Sequence, residues 1–223
     1  LCRLGYTYID HIDSADYDSS TNILINEFKS SILRLNPDLT EQEADLRVND
    51  IIQSAKNDDL GRELYNKIFS VSGYNKISSV SGVRFIDFEN PDNNVWHCTT
   101  EFACENPDTH DTFRPDITCF VNGLPLAFIE VKKPNNHEGM LAERERINVR
   151  LRNKAFRSFL NITQLMIFSN NQECDSKNVV PVQGAFYAAI SKDRAFFNVF
   201  REKNSYTDIL RESGYVDILK DDI

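Results

Sequence analysis

The sequence predicts an α/β chain, a mixed β-sheet flanked by helices and preceded by a helical third. Three observations carry that expectation. Apolar residues recur at helical spacing in segments between positions 21 and 69. Beyond Gly73, runs of β-branched and aromatic residues alternate with Asn-, Gly- and Pro-rich turns. One long charged stretch then interrupts those runs.

The elements follow in order. The first 20 residues are turn-rich and acidic, with Asp10, Asp13, Asp16 and Asp18, but without the spacing of an EF-hand; a solvated loop is expected. Ile23, Leu24, Phe28, Ile32 and Leu35 mark a helix over 21–35, capped by Ser20 or Thr21. Thr40-Glu41-Gln42-Glu43 reads as a capping box that opens a second helix toward Ala55. A shorter helix over 63–69 follows the break at Asn57-Asp58-Asp59 and Gly61. Residues 83–88 read as a strand, 90–94 as a turn and 95–102 as the returning strand. Residues 116–132 read as a hairpin, with strands 117–121 and 124–131 about Asn122-Gly123, ended by Pro134-Asn135-Asn136. A charged helix over 138–160 comes next, then a buried strand at 165–168 bounded by Ser169-Asn170-Asn171 and another strand over 185–190. The tail, 194–219, is expected to pack a helix through Phe196, Phe197 and Phe200. The chain therefore reads as one domain: a helical part (1–72), a sheet-containing core (73–192) and a C-terminal helix or linker (193–223).

Composition narrows the function classes. The 223 residues are 41% hydrophobic and 26% charged, which is enough for a real core and argues against a disordered chain. No run approaches a membrane span and no signal peptide opens the chain. The start at Leu1, without methionine, points to a fragment of something longer. Cys2, Cys98, Cys104, Cys119 and Cys174 are odd in number and form no C-x-x-C pair, so a reducing cytoplasm is expected rather than disulfides or a cysteine zinc site. A net charge of −9 argues against a surface that grips nucleic acid all round, yet leaves room for a local basic groove. His11, His97, His110 and His137 are scattered and no catalytic role is expected of them.

The chemistry concentrates at the hairpin. Asp116, then Glu130 after thirteen residues, then Lys132, stand at the ends of apolar strands, and alternation puts Glu130 and Lys132 on one face. Two carboxylates and an ammonium held together make sense if a divalent cation joins them; Mg²⁺ prefers such hard oxygen ligands. The bland alternative is a salt-bridge cluster at strand ends. Register separates the two. A plain two-residue turn would set Val121 against Leu124 and Asp116 against Ile129, leaving Asp116 and Glu130 on opposite faces. A bulge or an odd-length turn, with Val121 against Pro125, sets Asp116 against Glu130. Pro125 lacks the N–H that a regular ladder needs, so an irregularity is expected there.

Arg114-Pro115-Asp116-Ile117, Asn122-Gly123-Leu124-Pro125-Leu126 and Glu130-Val131-Lys132-Lys133-Pro134 together resemble the N-terminal PD-(D/E)xK nuclease domain of the type I restriction endonuclease R (motor) subunit. Leu35-Asn36-Pro37 and Ile167-Phe168-Ser169-Asn170 agree with it. The resemblance implies a restriction-endonuclease-like fold of helix–strand–strand–strand–helix–strand order and Mg²⁺-dependent hydrolysis of double-stranded DNA, with Mn²⁺ as a substitute cation. It assigns Asp116 and Glu130 as catalytic metal ligands, helped by the carbonyl of Val131, and Lys132 as the residue that orients the attacking water. It implies methyltransferase and specificity subunits as partners, and ATP only for a translocase C-terminal to this domain.

The departures are specific. Leu1-Cys2-Arg3-Leu4-Gly5-Tyr6 resembles the end of the family's first core helix, so that helix's acid is expected upstream, with Glu27 as a weak substitute, and the helix after Lys132 has no Q-x-x-x-Y. No G-x-x-x-x-G-K-[ST] loop is present. Arg146, Arg150, Lys154 and Arg157 share a helical face beside Ile147, Leu151 and Ala155; with Lys133 they read either as a ridge for DNA phosphates or as an ordinary solvated face. A catalytically silent DNA-binding or docking domain, and a structural domain with a fortuitous ExK, remain as alternatives.

Overall fold

The computed structural model describes residues 1–59, 61–69, 82–105, 112–133, 137–170, 185–188 and 198–200. The strands are β1 (Thr7–Tyr8), β2 (Trp96–Thr100), β3 (Cys104–Glu105), β4 (Thr112–Phe113), β5 (Ile117–Val121), β6 (Leu124–Val131), β7 (Leu165–Ser169), β8 (Ala185–Ala188) and β9 (Asn198–Phe200). The helices are α1 (Ile25–Leu35), α2 (Glu41–Ala55), α3 (Arg62–Phe69), α4 (His137–Arg152) and α5 (Arg157–Ile162). Seven strands form one mixed sheet in the order β1-β2-β5-β6-β7-β8-β9, and β3 pairs with β4 apart from it. The β1–β2 and β6–β7 pairs are parallel and the other sheet pairs antiparallel. This is the expected α/β architecture. Among the described residues no helix is long and apolar enough to cross a membrane.

The central hairpin decides where the rest of the molecule packs. Ile117, Thr118 and Cys119 of β5 face Ile129, Phe128 and Ala127 of β6, but Val121 faces Leu124. One residue of β5, Phe120, therefore stands against two of β6, Pro125 and Leu126. The turn at Asn122-Gly123 has two residues, so the anticipated bulge is present but lies inside the strand, and Val121 does not meet Pro125. The extra residue inverts the pleat. Leu124 shares a face with Val121, whereas Phe128 lies opposite Thr118 on the other face. Accordingly Val121 and Leu124 join a core with Phe28, Ile32, Val48, Ile51, Leu64 and Phe85 under α1–α3. Phe128 joins a second core with Phe113, Ile147, Phe156, Phe159, Met166 and Phe168 under α4 and α5. Phe113 sits at the centre of that second core, edge-on to Phe128, Phe156 and Phe159 at centroid separations of 5.4, 6.0 and 5.8 Å.

The turn end of the hairpin is tightly locked. Asn122 is wholly buried at φ 51°. Its amide donates to the carbonyl of Phe85 at 2.9 Å and to Asn94 Oδ1 at 2.8 Å, and its oxygen accepts from Val95 N at 2.8 Å and Arg34 at 3.2 Å. Gly123, at φ 82°, lies so close to α1 that a Cβ there would sit 2.8 Å from Leu24 O and Phe28 N.

Several local expectations are corrected. The first helix starts at Ile25 rather than near Thr21, because the Asp18 carboxylate captures the N–H and hydroxyl groups of Ser20 and Thr21 in a turn that competes with helix formation. Residues 83–88 form no strand. Val83, Phe85 and Ile86 are buried, but asparagine side chains serve this backbone: Asn36 brackets Arg84 N and O, and Asn94 accepts from Asp87 N. The returning strand is shorter than expected and ends where Glu101 turns to φ 55°. The acidic opening contains β1, too short for any alternation to show. The charged helix breaks at Asn153, whose side chain caps a new turn by accepting from Ala155 N, so α5 is separate. Asn198–Phe200 is a strand paired with β8, not part of a helix. Phe196, Phe197 and residues 201–223 lie outside the described residues, as do His110, Cys174 and the 134–136 turn. The capping box at Thr40 and Glu43 forms as read.

Candidate active site

Asp116 precedes β5 by one residue, and extending the β5–β6 register by one pair sets it opposite Glu130. The pairing is tied by a hydrogen bond from Val131 N to Asp116 Oδ2 at 2.6 Å. On the other side, Lys132 N donates to Ser169 O at 2.7 Å, continuing the parallel ladder with β7. The last residues of β6 are thus held between Asp116 and β7. Glu130 is on the same face as Phe128 and points toward the α4 layer, where it is 5% exposed. Asp116, Glu130, Val131 and Lys132 are brought together at this end of the hairpin. Glu27 is not: it lies on α1 near the turn, roughly 20 Å away at about 3.3 Å per strand residue, and its carboxylate accepts from Ser31.

The lysine does not face Glu130 alone. Lys132 Nζ stands 3.1 Å from Glu130 Oε2 and 3.1 Å from Glu143 Oε2. Glu143, on α4, is 1% exposed. Arg146 reaches its Oε2 at 3.0 Å and Arg150 its Oε1 at 3.4 Å. These contacts to Oε2 are ion pairs without well-directed hydrogen bonds. Arg150 also lies over the Phe113 ring, 4.1 Å from its centroid, where cation–π attraction and packing hold it inward. Of the proposed phosphate-contacting residues, Lys133 and Arg146 are exposed and Arg150 is half-buried. Lys154 and Arg157 leave the α4 face and pair with Asp58 instead.

The electrostatics follow from burial. Desolvation, then the neighbouring Glu143 and Asp116 charges, push the Glu130 carboxyl from its ordinary 4.5 up to about 7, against the opposing pull of Lys132. Lys132 moves upward, because its two carboxylates outweigh its burial. Burial pushes the Cys104 thiol up to about 12 and Cys119 to about 11, so neither is a ready nucleophile.

The donor chemistry suits a hard divalent cation: two carboxylates, with the main chain of Val131 between them. A buried carboxyl this reluctant to ionise is stabilised as an anion by any cation that reaches it. Among the described residues no three His, Cys, Asp or Glu side chains form a ready-made metal nest, since Lys132 occupies the space beside Glu130.

A family described as the type I restriction enzyme R protein N terminus matches residues 1–175. The chain belongs to that family. A relative of this R-protein N terminus, named "Putative type I restriction enzyme MjaIXP endonuclease subunit" of Methanocaldococcus jannaschii, is 30% identical over 154 residues. The alignment covers 62% of this chain and 14% of that protein's length. The R-protein match spans Asp116, Glu130 and Lys132, and equally Glu143 and Arg150 on α4.

Glu143 is the site residue that sequence reasoning missed. The signal was present: Ile147 lies four residues on, and Arg146 and Arg150 three and seven, all on neighbouring positions of one helical face. An acid on the apolar side of a helix needs a partner, and Lys132 across the interface is that partner.

Proposed function

We propose that this domain is the Mg²⁺-dependent endonuclease of a type I restriction complex and hydrolyses phosphodiester bonds of double-stranded DNA. The observation that carries the reading is the β6 bulge, which puts Asp116 opposite Glu130 on the face that also receives Lys132. Asp116, Glu130 and the Val131 carbonyl are the groups to hold Mg²⁺, or Mn²⁺ in its place. When bound, the cation supplies Lewis-acid stabilisation of charge developing at the phosphate oxygens. Lys132 orients the attacking water and offsets charge at phosphorus through its ammonium, in a site shielded enough for that charge to count. Lys133 and Arg146, exposed beside the cluster, are placed to meet flanking DNA phosphates. Half-buried Arg150 serves to hold Glu143. In the intact cytoplasmic enzyme, methyltransferase and specificity subunits would choose the site, and ATP would serve a translocase beyond this domain.

A second reading, a catalytically silent DNA-binding or docking domain, is favoured by the ion pair that already engages Glu130. Mn²⁺ titration calorimetry on the chain and on Asp116→Ala, with folding of both followed by circular dichroism, separates the two. Binding lost on substitution supports the nuclease. Equal heats from two folded proteins refute the cation site and favour the silent domain. Loss of DNA cleavage by the full-length subunit carrying Asp116→Ala, in its assembled complex, then tests the hydrolysis.

A further inference from the structure

We infer that Glu143 is the positioning residue for Lys132: it anchors the ammonium when Glu130 is given over to a cation. The inference rests on the nuclease reading for its purpose but not for its geometry. Lys132 Nζ is 3.1 Å from each of two carboxylates that come from different elements, Glu130 on β6 and Glu143 on α4. Glu130 accepts a hydrogen bond from the ammonium and Glu143 adds an ion pair, so both contacts are held at once. A divalent ion on Glu130 removes one of them and repels the ammonium. With a single anchor, the lysine would swing on its four-carbon stem into solvent. With Glu143 it keeps a fixed, buried counter-charge.

Glu143 is built for that task. It is 1% exposed. Arg146 and Arg150 hold its two oxygens from the same helix, and Arg150 is itself fixed on Phe113. The three acids Asp116, Glu130 and Glu143 face the three bases Lys132, Arg146 and Arg150. A divalent cation on Glu130 would therefore leave Lys132 the Glu143 contact it already has. Glu143 acts through Lys132 and touches no reacting atom.

The test needs no cation. Glu130→Leu removes the first anchor, acceptor and charge together, and leaves the second. The probe is the Lys132 ammonium proton signal in nitrogen-15 spectra, assigned by its loss in Lys132→Met. Protected ammonium protons are expected in the wild type and in Glu130→Leu. In the Glu130→Leu, Glu143→Leu double variant, exchange should be at least about tenfold faster, as for a lysine that has lost both of its carboxylate contacts. A solvent-like Lys132 in folded Glu130→Leu alone overturns the inference, and so does a protected one in the folded double variant. Should the double variant not fold, the Glu130→Leu arm still decides. Absence of Mn²⁺ binding would refute the nuclease reading and leave these spectra to judge Glu143 independently.

Discussion

Replacing Glu130 with glutamine should stabilise the cation-free protein at alkaline pH. The carboxyl rises from 4.5 to about 7 because ionising it inside the α4 layer is unfavourable. At about 1.4 kcal/mol per pH decade, that corresponds to roughly 3 kcal/mol of native-state cost once the group is ionised. Between pH 4.5 and 7 the native state keeps a proton that the unfolded chain has released, so stability falls as pH rises through this window and the cost is complete above it. Glutamine matches glutamate in shape and its oxygen still accepts from Lys132, so it should recover about 1–3 kcal/mol at pH 8 and little at pH 4.5. For a domain this size that is about 3–10 °C in Tm. The assay is thermal and urea denaturation of wild type and Glu130→Gln at pH 4.5, 6 and 8, with a chelator present. Groups that do not interact with Glu130 cancel in the difference between the two proteins, and Lys132, raised in part by Glu130, titrates above the range used. Equal stabilities at pH 8, or parallel pH profiles, would refute the buried-charge argument. Added Mg²⁺ at about a hundred times its Kd should raise the wild type by roughly 2.7 kcal/mol and leave Glu130→Gln unmoved.

Three further substitutions probe the scaffold. Asn122→Ala removes four hydrogen bonds, two of them fully buried, and strands Val95 N and Phe85 O, so urea unfolding should show a loss of about 3 kcal/mol or more; a loss under about 1 kcal/mol would contradict the role given to that amide. Gly123→Ala meets both a φ of 82° and a contact of 2.8 Å with the α1 backbone, and should lower stability by at least about 2 kcal/mol in the same assay. Thr40→Ala should cost about 1 kcal/mol by thermal denaturation and Thr40→Ser almost nothing, because only the hydroxyl serves the Glu43 N–H.

What could be read in the sequence was whatever a few neighbouring residues decide between themselves. The Thr40–Glu43 box needs only four positions, and it formed. The bulge was legible because Pro125 cannot donate and because the pleat's period of two makes Asp116 and Glu130 incompatible with a regular ladder. Residues 83–88 misled because their apolar content records burial, and burial does not say whether ladder partners or Asn36 and Asn94 will satisfy the backbone. Asn153 was overlooked as a helix break for a similar reason: its capping hydrogen bond competes with continuation, and the periodicity on either side does not record the outcome. Glu143 was hidden because its partner is eleven residues back on another element, and one-dimensional spacing on α4 shows only its own arginines.

The two ends of the hairpin are built on opposite principles, and the bulge is what connects them. At the turn, Asn122 and Gly123 hold Val121 against Leu124, and the bulge that follows shifts the register of β6 by one before the strand reaches its charged end. At that end, Glu130 is held in a place where its own ionisation is unfavourable. A register slip of one residue would relieve the strain by turning Glu130 to the other face, and it would do so while dismantling the Asp116 pairing. The rigid turn alone would allow that slip, because Val121 against Leu124 with no bulge sets Asp116 against Ile129; the bulge of Phe120 against Pro125 and Leu126 is what forbids it. Stability is concentrated where the register is set, and given up where a cation would restore it. Gly123→Ala, some 20 Å from Asp116 on the strand rise of about 3.3 Å per residue and on the far side of the bulge, should therefore cost stability but leave Mn²⁺ binding of the folded variant unchanged. Calorimetry on the folded variant decides: weakened affinity would show that the site depends on the turn as well as on the bulge.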